Sequence, residues 1–376
     1  MTPSGTTLAL ANLDFELELA EGPNYKTRAS MLRLGERWGS ILRLLPEARE
    51  AECLLPEALR DGFEFAGPAS SLLVWGVTER VRALALRLGL GEAEFPSEAA
   101  VLQANDKLVS HELEQRLGVA LPGSVVISSV EQLRSVVEEC PYDWVIKHPL
   151  GFSALERMVG KAGVLSHSPL GFARIRLEKG WKLLFEPWVE GSRGFSHHYQ
   201  IARDGSFVFV GECGLLTDPG GVHRGNRITQ GESDPRLLEV GGRVCGEMAA
   251  LGYWGPLGLD GLEGTLGGEQ VFRPLLEINA RYSFGRLTLA LRDWIPEGWT
   301  CTWWHPRAVD AERLPAVLSP LPSLAEGPWE AGLYALPACA DPGQSSGTAL
   351  LIAPTLERLT ELEHQYLPHY PTAARA

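Results

Sequence analysis

Apolar and polar positions follow one another along the first hundred residues in a pattern that predicts alternating strands and helices. The segment TLALANLDFE (Thr7–Glu16) predicts a first strand, and residues 26–60, rich in Leu, Arg and Glu, are helix-like. Ser70–Leu90 predicts a buried strand that runs into an amphipathic helix, since its apolar residues after Thr78 recur at helical spacing. This order favours a small parallel α/β sheet that ends near Ala104.

The next segment predicts helices and strands in turn. Asn105–Ile127 predicts a helix capped by Asn105 or Asp106 that ends near Gly118 and is followed by a strand. Ser128–Cys140 predicts a helix that opens on a capping box formed by Ser128 with Glu131 or its neighbour. Two further strands are expected, one in Asp143–Gly160 that leads into a glycine-containing loop and one in Trp181–Gly191.

From Gly194 onward the pattern turns rich in strands. Asp204-Gly205 lies between two alternating runs and predicts a hairpin, and the tail from about Arg307 combines Pro-rich loops, strands and a closing helix. The chain therefore belongs to the α/β (α+β) class. We expect three units, at residues 1–104, 105–190 and 191–376.

Composition and net charge limit which partners the protein could bind and in which compartment it would be found. Hydrophobic residues make up 45% of the 376 residues, and a net charge of −13 argues against a nucleic-acid partner held by bulk electrostatics. The six cysteines show no CxxC pair, which is typical of reduced thiols, and no apolar run approaches the length of a membrane span. We expect a cytoplasmic protein without a membrane partner.

The strongest chemical signal is LLEINARYSFG (Leu275–Gly285). In an extended strand, Glu277, Asn279 and Arg281 share one face, and Asp260 on the preceding strand could join them across a hairpin. A carboxylate and an amide oxygen at this spacing are hard ligands of the kind that Mg²⁺ takes beside phosphate oxygens. The alternative is that Glu277 and Asn279 face solvent, or that Glu277 pairs with a neighbouring arginine.

Three upstream features give this motif a context. Lys107 follows Asn105-Asp106, Lys147 ends the strand WVIK, and FEPW places Glu186 and Trp188 at the end of another strand. Two lysines, an apolar hinge and then acidic metal ligands resemble the ATP-grasp superfamily, over roughly residues 100–300. The resemblance implies an ATP-grasp fold preceded by a parallel α/β pre-ATP-grasp domain, with ATP and Mg²⁺, or alternatively Mn²⁺, as cofactors.

The resemblance also implies roles for individual residues on the nucleotide side. Lys107 and Lys147 would contact the nucleotide phosphates. The loop after Lys147 keeps Gly151 and Ser153 for the phosphates, but it has Ala154 and Glu156 where relatives often have glycine, and Arg157 is the candidate for a substitute contact.

The remaining implied roles concern the adenine, the metal and catalysis. Glu186, Trp188 and Val189 would receive the adenine, and the residue that binds the ribose is left open. Asp260, Glu277 and Asn279 would hold the metal. Arg281, together with Lys147, would be catalytic by stabilising charge on the transferred phosphoryl group.

The resemblance implies a carboxylate-amine ligase, which activates a carboxylate as an acyl phosphate and joins it to an amine, such as an amino acid or peptide. Carboxylation, simple phosphoryl transfer and nucleotide binding without catalysis remain alternatives, and a homodimer is also an open expectation. Tyr282, Ser283, Arg286 and Gly220–Ile228 are candidates for the acceptor side. An acidic or zwitterionic donor is a hypothesis that rests on four arginines, which are Arg224, Arg227, Arg273 and Arg286.

Overall fold

The part of the chain that the structure describes builds three β-sheets with helices packed against them. The computed structural model describes residues 5–91, 94–151, 156–228, 231–305, 315, 318–322, 324, 329–336 and 348–367. Among these residues, none of the helices is long and apolar enough to cross a membrane.

The first sheet is parallel, with strand order β2-β1-β3. The elements of this part of the chain are β1 (Thr6–Leu10), α1 (Phe15–Glu21), α2 (Ala29–Trp38), β2 (Glu52–Leu54), β3 (Ala69–Val74), α3 (Glu79–Arg87) and α4 (Glu98–Ala104). The expected strand Thr7–Glu16 is wrong beyond Leu10, because Asn12 exchanges two hydrogen bonds with the backbone of Gly76 and the chain then turns into α1. This turn places Glu16 on a helix.

The second sheet is antiparallel, with strand order β4-β7-β5-β6. Its part of the chain contains α5 (Lys107–Leu117), β4 (Val125–Ile127), α6 (Val130–Glu139), β5 (Trp144–Lys147), β6 (Arg157–Gly160), α7 (His167–Glu178) and β7 (Leu183–Pro187). As predicted, Asp106 caps α5 and Gly118 ends it at a positive φ of 71°. The N-cap of α6 lies one residue later than expected, at Ser129, whose Oγ accepts from Gln132 N. The Gln132 side chain accepts from the amide of Ser128 and does not close a capping box on Ser129.

The third sheet has eight strands in the order β12-β11-β8-β9-β10-β13-β15-β14. The elements are β8 (Glu190–Ile201), β9 (Phe207–Thr217), β10 (His223–Ile228), α8 (Pro235–Ala250), β11 (Gly255–Leu266), β12 (Glu269–Asn279), α9 (Phe284–Ala290), β13 (Thr300–Trp304), β14 (Gly332–Tyr334), β15 (Ala349–Ala353) and α10 (Leu356–Tyr366). The hairpin at Asp204-Gly205 joins β8 to β9, as predicted.

The parallel sheet and the eight-stranded sheet share a hydrophobic core, whereas the four-stranded sheet has a core of its own. The largest cluster runs from Ala9 and Phe15 in the first part of the chain to Leu275 and Trp303 in the eight-stranded sheet. The four-stranded sheet has its own core around Trp144, and we call this sheet with α6 and α7 the small lobe. We propose that the three sheets mark the three units expected from the sequence, although α5 packs on β12, where Ser110 Oγ accepts a hydrogen bond from Ile278 N at 3.3 Å.

Candidate active site

A cavity of about 360 Å³ lies where the three sheets meet. Its wall contains seven side chains that the sequence singled out: Lys107, Lys147, Arg157, Asp260, Glu277, Asn279 and Arg281. These residues come from five different elements and from the turn after β12, so the fold gathers them from positions far apart in the chain.

The oxygen-bearing side chains lie on the β11–β12 hairpin. Asp260 is directly opposite Glu277, Gly258 is opposite Asn279, and Asn279 Nδ2 donates to Asp260 Oδ2 at 3.0 Å. Burial and the facing carboxylate of Glu277 raise the pKa of Asp260 to about 6. Two carboxylates and an amide are thus held together at a free-energy cost that a bound cation would remove.

This donor set fits a hard divalent cation that is also held by phosphate oxygens. Mg²⁺ prefers oxygen ligands and commonly takes only one or two carboxylates from a protein when it binds a nucleotide. The described residues hold no cluster of three or more His, Cys, Asp or Glu side chains that would bind a metal without such help. The hairpin therefore suits a cation that arrives with a phosphate ligand.

Lys107 connects the hairpin to the loop after β5. It is the first residue of α5, and its Nζ donates to Glu277 Oε1 at 2.8 Å and to the carbonyl oxygen of Gly151. Its own amide donates to the carbonyl of Pro149 at 3.1 Å. The ammonium group is therefore fixed between a carboxylate of the site and the loop that the sequence associated with phosphates.

Lys147 is held by a buried network of charges behind the cavity wall. Its Nζ lies 2.5 Å from Glu186 Oε2, and Arg273 Nη2 donates both to Glu186 Oε1 and, at 2.7 Å, to Glu114 Oε2. Burial opposes ionisation of Glu186, but Arg273 and Lys147 outweigh it and lower the pKa of Glu186 to about 2. Glu186, at 1% exposure, lies behind Lys147 rather than in the cavity wall.

Of the other hinge and loop residues, Arg157 lines the cavity and Trp188 lies next to Arg157. Trp188 stacks with Arg157, whose guanidinium carbon is 5.7 Å from the ring centroid, and the amide of Trp188 donates to the Asp143 carbonyl at 2.7 Å. Val189 is buried against Leu121 and Leu266. Arg157 Nη2 donates to the carbonyl of Gly220, and Ser153 lies outside the described residues.

Arg281 lies between the oxygen-bearing hairpin and the first part of the chain. Its Nη2 donates to Asn279 Oδ1 at 2.9 Å, its Nη1 donates to the Tyr282 carbonyl at 3.0 Å, and its Nε forms an ion pair with Glu16. The guanidinium is therefore held in a fixed orientation, which suits it to the recognition of an oxyanion.

The four arginines offered for an acidic donor are mostly committed to other partners. Arg273 is buried in the network described above, and Arg227 is buried with its Nη1 3.0 Å from Glu363 Oε2. Arg224 Nη2 lies 2.9 Å from Asp218 Oδ2. The hypothesis is therefore wrong for Arg273 and Arg227, because buried ion pairs hold them inside the protein instead of in the cavity wall.

Several residues of the wall were not foreseen from the sequence, among them Leu13, Glu16 and Trp75. Glu16, Trp75 and Leu13 all line the cavity, and Leu13 and Trp75 follow the ends of β1 and β3. Ligands of parallel α/β sheets bind at the carboxyl ends of the strands, and this rule could have identified Leu13 and Trp75. Glu16 was missed because the sequence pattern had assigned it to a strand.

The fold is similar to that of several solved structures, which agrees with the fold class expected from the sequence. The biotin carboxylase domain of 2-oxoglutarate carboxylase from Hydrogenobacter thermophilus, in complex with MgADP, ADP and bicarbonate, has 15% sequence identity to this chain and a TM-score of 0.53. That match covers 97% of this chain and 90% of the other. No protein-family model and no curated protein sequence matches the chain.

Two N5-carboxyaminoimidazole synthetases show the same likeness. The N5-carboxyaminoimidazole ribonucleotide synthetase from Thermus thermophilus has 17% sequence identity to this chain and a TM-score of 0.53. That match covers 98% of this chain and 100% of the other. The enzyme from Staphylococcus aureus, complexed with ADP, has 9% identity and a TM-score of 0.57, with coverages of 96% and 97%. At these identities the likeness establishes the fold.

Proposed function

We propose that this chain is an ATP-dependent ligase that activates a carboxylate as an acyl phosphate and joins it to an amine. The observation that carries the proposal is the single cavity of about 360 Å³ whose wall combines Lys107, Lys147 and Arg281 with the oxygen-bearing hairpin. Phosphoryl transfer needs positioning and charge neutralisation more than it needs a protein nucleophile, and this set of side chains provides both.

The proposed reaction has two steps. A carboxylate oxygen of the substrate bonds to the γ-phosphorus of ATP, and the bond from that phosphorus to the bridging oxygen breaks to release ADP. The amine nitrogen then bonds to the carbonyl carbon, phosphate leaves with the electron pair of the acyl bond, and the amine loses a proton. Both steps build negative charge on oxygen, and in this proposal Arg281 would stabilise it.

The chain's own residues would hold the nucleotide as follows. Lys107 and Lys147 contact phosphates, with Arg157 and Ser153 contributing from the loop, and the adenine lies beside Trp188 and Val189. In this arrangement Glu186 acts through Lys147, because both of its oxygens already contact cations. Asp260, Glu277 and Asn279 would hold Mg²⁺, or alternatively Mn²⁺, which would supply positive charge to offset the charge of the phosphates.

The ligands of the similar structures support nucleotide use. The Hydrogenobacter thermophilus domain is a complex with MgADP and ADP, and the Staphylococcus aureus synthetase is a complex with ADP. The first of these is also described as a domain dimer, which agrees with the homodimer that we keep as part of the proposal. We place the enzyme in the cytoplasm, where the described cysteines, all free, would stay reduced.

Activation of bicarbonate is the second candidate. It is favoured by one observation, the bicarbonate in the Hydrogenobacter thermophilus complex. Bicarbonate would occupy the place of the carboxylate and would need the same cations and the same oxygen-bearing hairpin. The two candidates differ in whether an organic acid is consumed.

The test measures ADP, phosphate and a trapped form of the acyl phosphate in one assay. The purified chain is incubated with MgATP, a panel of carboxylic acids and hydroxylamine, which intercepts an acyl phosphate as a hydroxamate. We expect ADP, phosphate and hydroxamate in equal amounts. Phosphate release that depends on bicarbonate alone would favour the second candidate, and tight MgATP binding without turnover of any acid would contradict both.

A matched pair of variants links the activity to the hairpin. Glu277→Gln keeps the side-chain volume and removes a charge, so the rate should fall at least about 100-fold, with little change in the unfolding temperature. Glu269→Gln, at the exposed start of the same strand, should keep the wild-type rate. Parallel losses of stability and rate in Glu277→Gln would instead identify a structural ion pair with Lys107.

A further inference from the structure

We propose that the carboxylic acid used by this enzyme carries an aromatic or large apolar group, which packs against a wall formed by Trp75, Phe284, Leu13 and Leu34. We call these four residues the apolar wall. The inference rests on the proposed function, and it names the substrate class for the same site.

The apolar wall is one side of the cavity that holds the charged residues. All four of its side chains line that cavity, together with His223. The ring centroids of Trp75 and Phe284 are 5.1 Å apart, and the ring of His223 stacks on Phe284 with an interplanar angle of 12°. Flat rings and branched aliphatic groups at one end of a cavity create a surface that favours a flat or bulky apolar ligand.

Arg281 fixes the direction in which such a substrate would lie. Its guanidinium carbon is 5.8 Å from the centroid of Trp75, while its Nη2 is 2.9 Å from Asn279 Oδ1 beside the proposed metal site. A carboxylate that contacts Arg281 on the phosphate side therefore directs the rest of the molecule along Trp75. The reacting group and the apolar group are thus bound by adjacent parts of one wall.

The charges around the apolar wall agree with this assignment. Burial lowers the pKa of His223 to about 4, so its imidazole is neutral at physiological pH and presents a flat ring to the cavity. Glu16 already pairs with Arg281, and Arg224 pairs with Asp218. Arg224 is therefore committed to Asp218, and the four side chains of the apolar wall carry no charge that would attract a second substrate carboxylate. This favours an apolar donor over an acidic one.

Discrimination should be measured with acids that differ only in the group attached to the carboxylate. The hydroxylamine assay is run with 3-phenylpropanoate, hexanoate, acetate, succinate and bicarbonate. Each methylene group in an apolar pocket changes kcat/KM by about tenfold or more. We therefore expect kcat/KM to fall from 3-phenylpropanoate through hexanoate to acetate, and the doubly charged succinate to be the poorest organic acid.

Variants of Leu34 test whether the apolar wall determines the preference for an aromatic acid. Leu34 is half-buried, so Leu34→Asp adds a charge to the cavity without emptying the core; it should lower kcat/KM for 3-phenylpropanoate at least about tenfold and leave the KM of ATP unchanged. Leu86→Asp, at a position 51% exposed in α3, should leave both unchanged. If Leu34→Asp lowers the unfolding temperature, Leu34→Ala replaces it and should weaken the preference for the aromatic acid.

Binding and turnover separate the failure of this inference from the failure of the proposed function. Calorimetry in the presence of MgADP should detect 3-phenylpropanoate and show weaker binding of acetate. Acetate, succinate or bicarbonate turning over as well as the aromatic acid would overturn the inference and leave an acid-activating enzyme in place. Absence of hydroxamate with every acid would overturn both.

Discussion

Glu156 has a backbone conformation that only glycine adopts easily. Its φ is 57°, and its carbonyl accepts from His148 N at 2.9 Å, so the conformation is fixed where β6 begins. Its carboxylate accepts from Arg176 Nε at 2.7 Å. Glu156→Ala loses the ion pair and keeps the strain, whereas Glu156→Gly loses the ion pair and relieves it. We expect the glycine variant to be more stable than the alanine variant by about 1 kcal/mol in urea denaturation.

The opposite order is expected at an ordinary helical position. Glu112 is exposed in α5, where Glu112→Gly should be less stable than Glu112→Ala by about 1 kcal/mol. Alanine more stable than glycine at both positions would show that the backbone at Glu156 relaxes and stores no strain.

Individual site residues were predictable where the signal was local. Glu277 and Asn279 lie two apart on a strand, and Lys107 follows its helix cap directly, so short motifs identified them. The contact between Arg281 and Glu16 could not be foreseen, because it joins distant parts of the chain. Alternation also placed Arg273 on the face of Glu277, but it could not show that Glu114 and Glu186 cover Arg273.

The charge network behind Lys147 joins four elements, α5, β12, β7 and β5. Since the pKa of Glu186 is lowered from 4.5 to about 2, its ionised form stabilises the native state above pH 4.5, and this contribution is lost as the pH falls from about 4.5 toward 2. The shift corresponds to about 3 kcal/mol. We expect Glu186→Gln to be less stable than wild type at pH 7 and to lose less stability on acidification below pH 4.5.

Urea denaturation at pH 7, 5, 4 and 3 measures this difference. Glu138→Gln, at an exposed position in α6, serves as the control and should parallel the wild type at every pH. Equal pH dependence in Glu186→Gln and wild type would show that Arg273 and Lys147 do not depend on the Glu186 charge. A rise in the KM of ATP in Glu186→Gln would in addition support its role in positioning Lys147.

Helix α8 contains three glycines, and the surroundings of two of them, Gly241 and Gly246, differ completely. A Cβ at Gly241 would collide with the ring of Tyr199, which is fixed between Phe207 and Phe209, whereas a Cβ at Gly246 would meet nothing within 4 Å. Gly241→Ala should destabilise the protein by about 1 to 3 kcal/mol through overpacking. Gly246→Ala should stabilise it by about 0.5 to 1 kcal/mol through helix propensity. Thermal unfolding of the two variants checks both signs.

Element types were predictable where the period was long and regular, as for β3 followed by α3 and for the hairpin at Asp204-Gly205. The segment after Leu10 failed for a physical reason. Its apolar residues continue a strand-like pattern, but the buried side chain of Asn12 binds the backbone of Gly76 and redirects the chain. That contact exists only after β1 and β3 have paired, so tertiary structure overrides the local pattern.

The whole molecule is divided by its hydrophobic cores. One cluster spans the parallel sheet and the eight-stranded sheet, whereas the small lobe has a separate core around Trp144 and Phe185. Contacts from the small lobe to the rest include the pair of Glu186 with Arg273 and the hydrogen bond from Arg157 to the Gly220 carbonyl. Opening the small lobe therefore exposes less apolar surface than global unfolding, and it should require less free energy.

Native-state hydrogen exchange distinguishes the opening of the small lobe from global unfolding. Amides of β5 and β7 should exchange through an opening of lower free energy than amides of β1 and β13, which belong to sheets joined by the shared core. Because Lys147 of the small lobe and Glu277 of β12 line one cavity, MgATP bound there should close the small lobe and slow exchange in β5 and β7. Saturation at about 100 times the Kd would stabilise the closed form by about 2.7 kcal/mol. Uniform slowing in β1, β5, β7 and β13 would mean that the protein opens as a single cooperative unit and that the small lobe does not move alone.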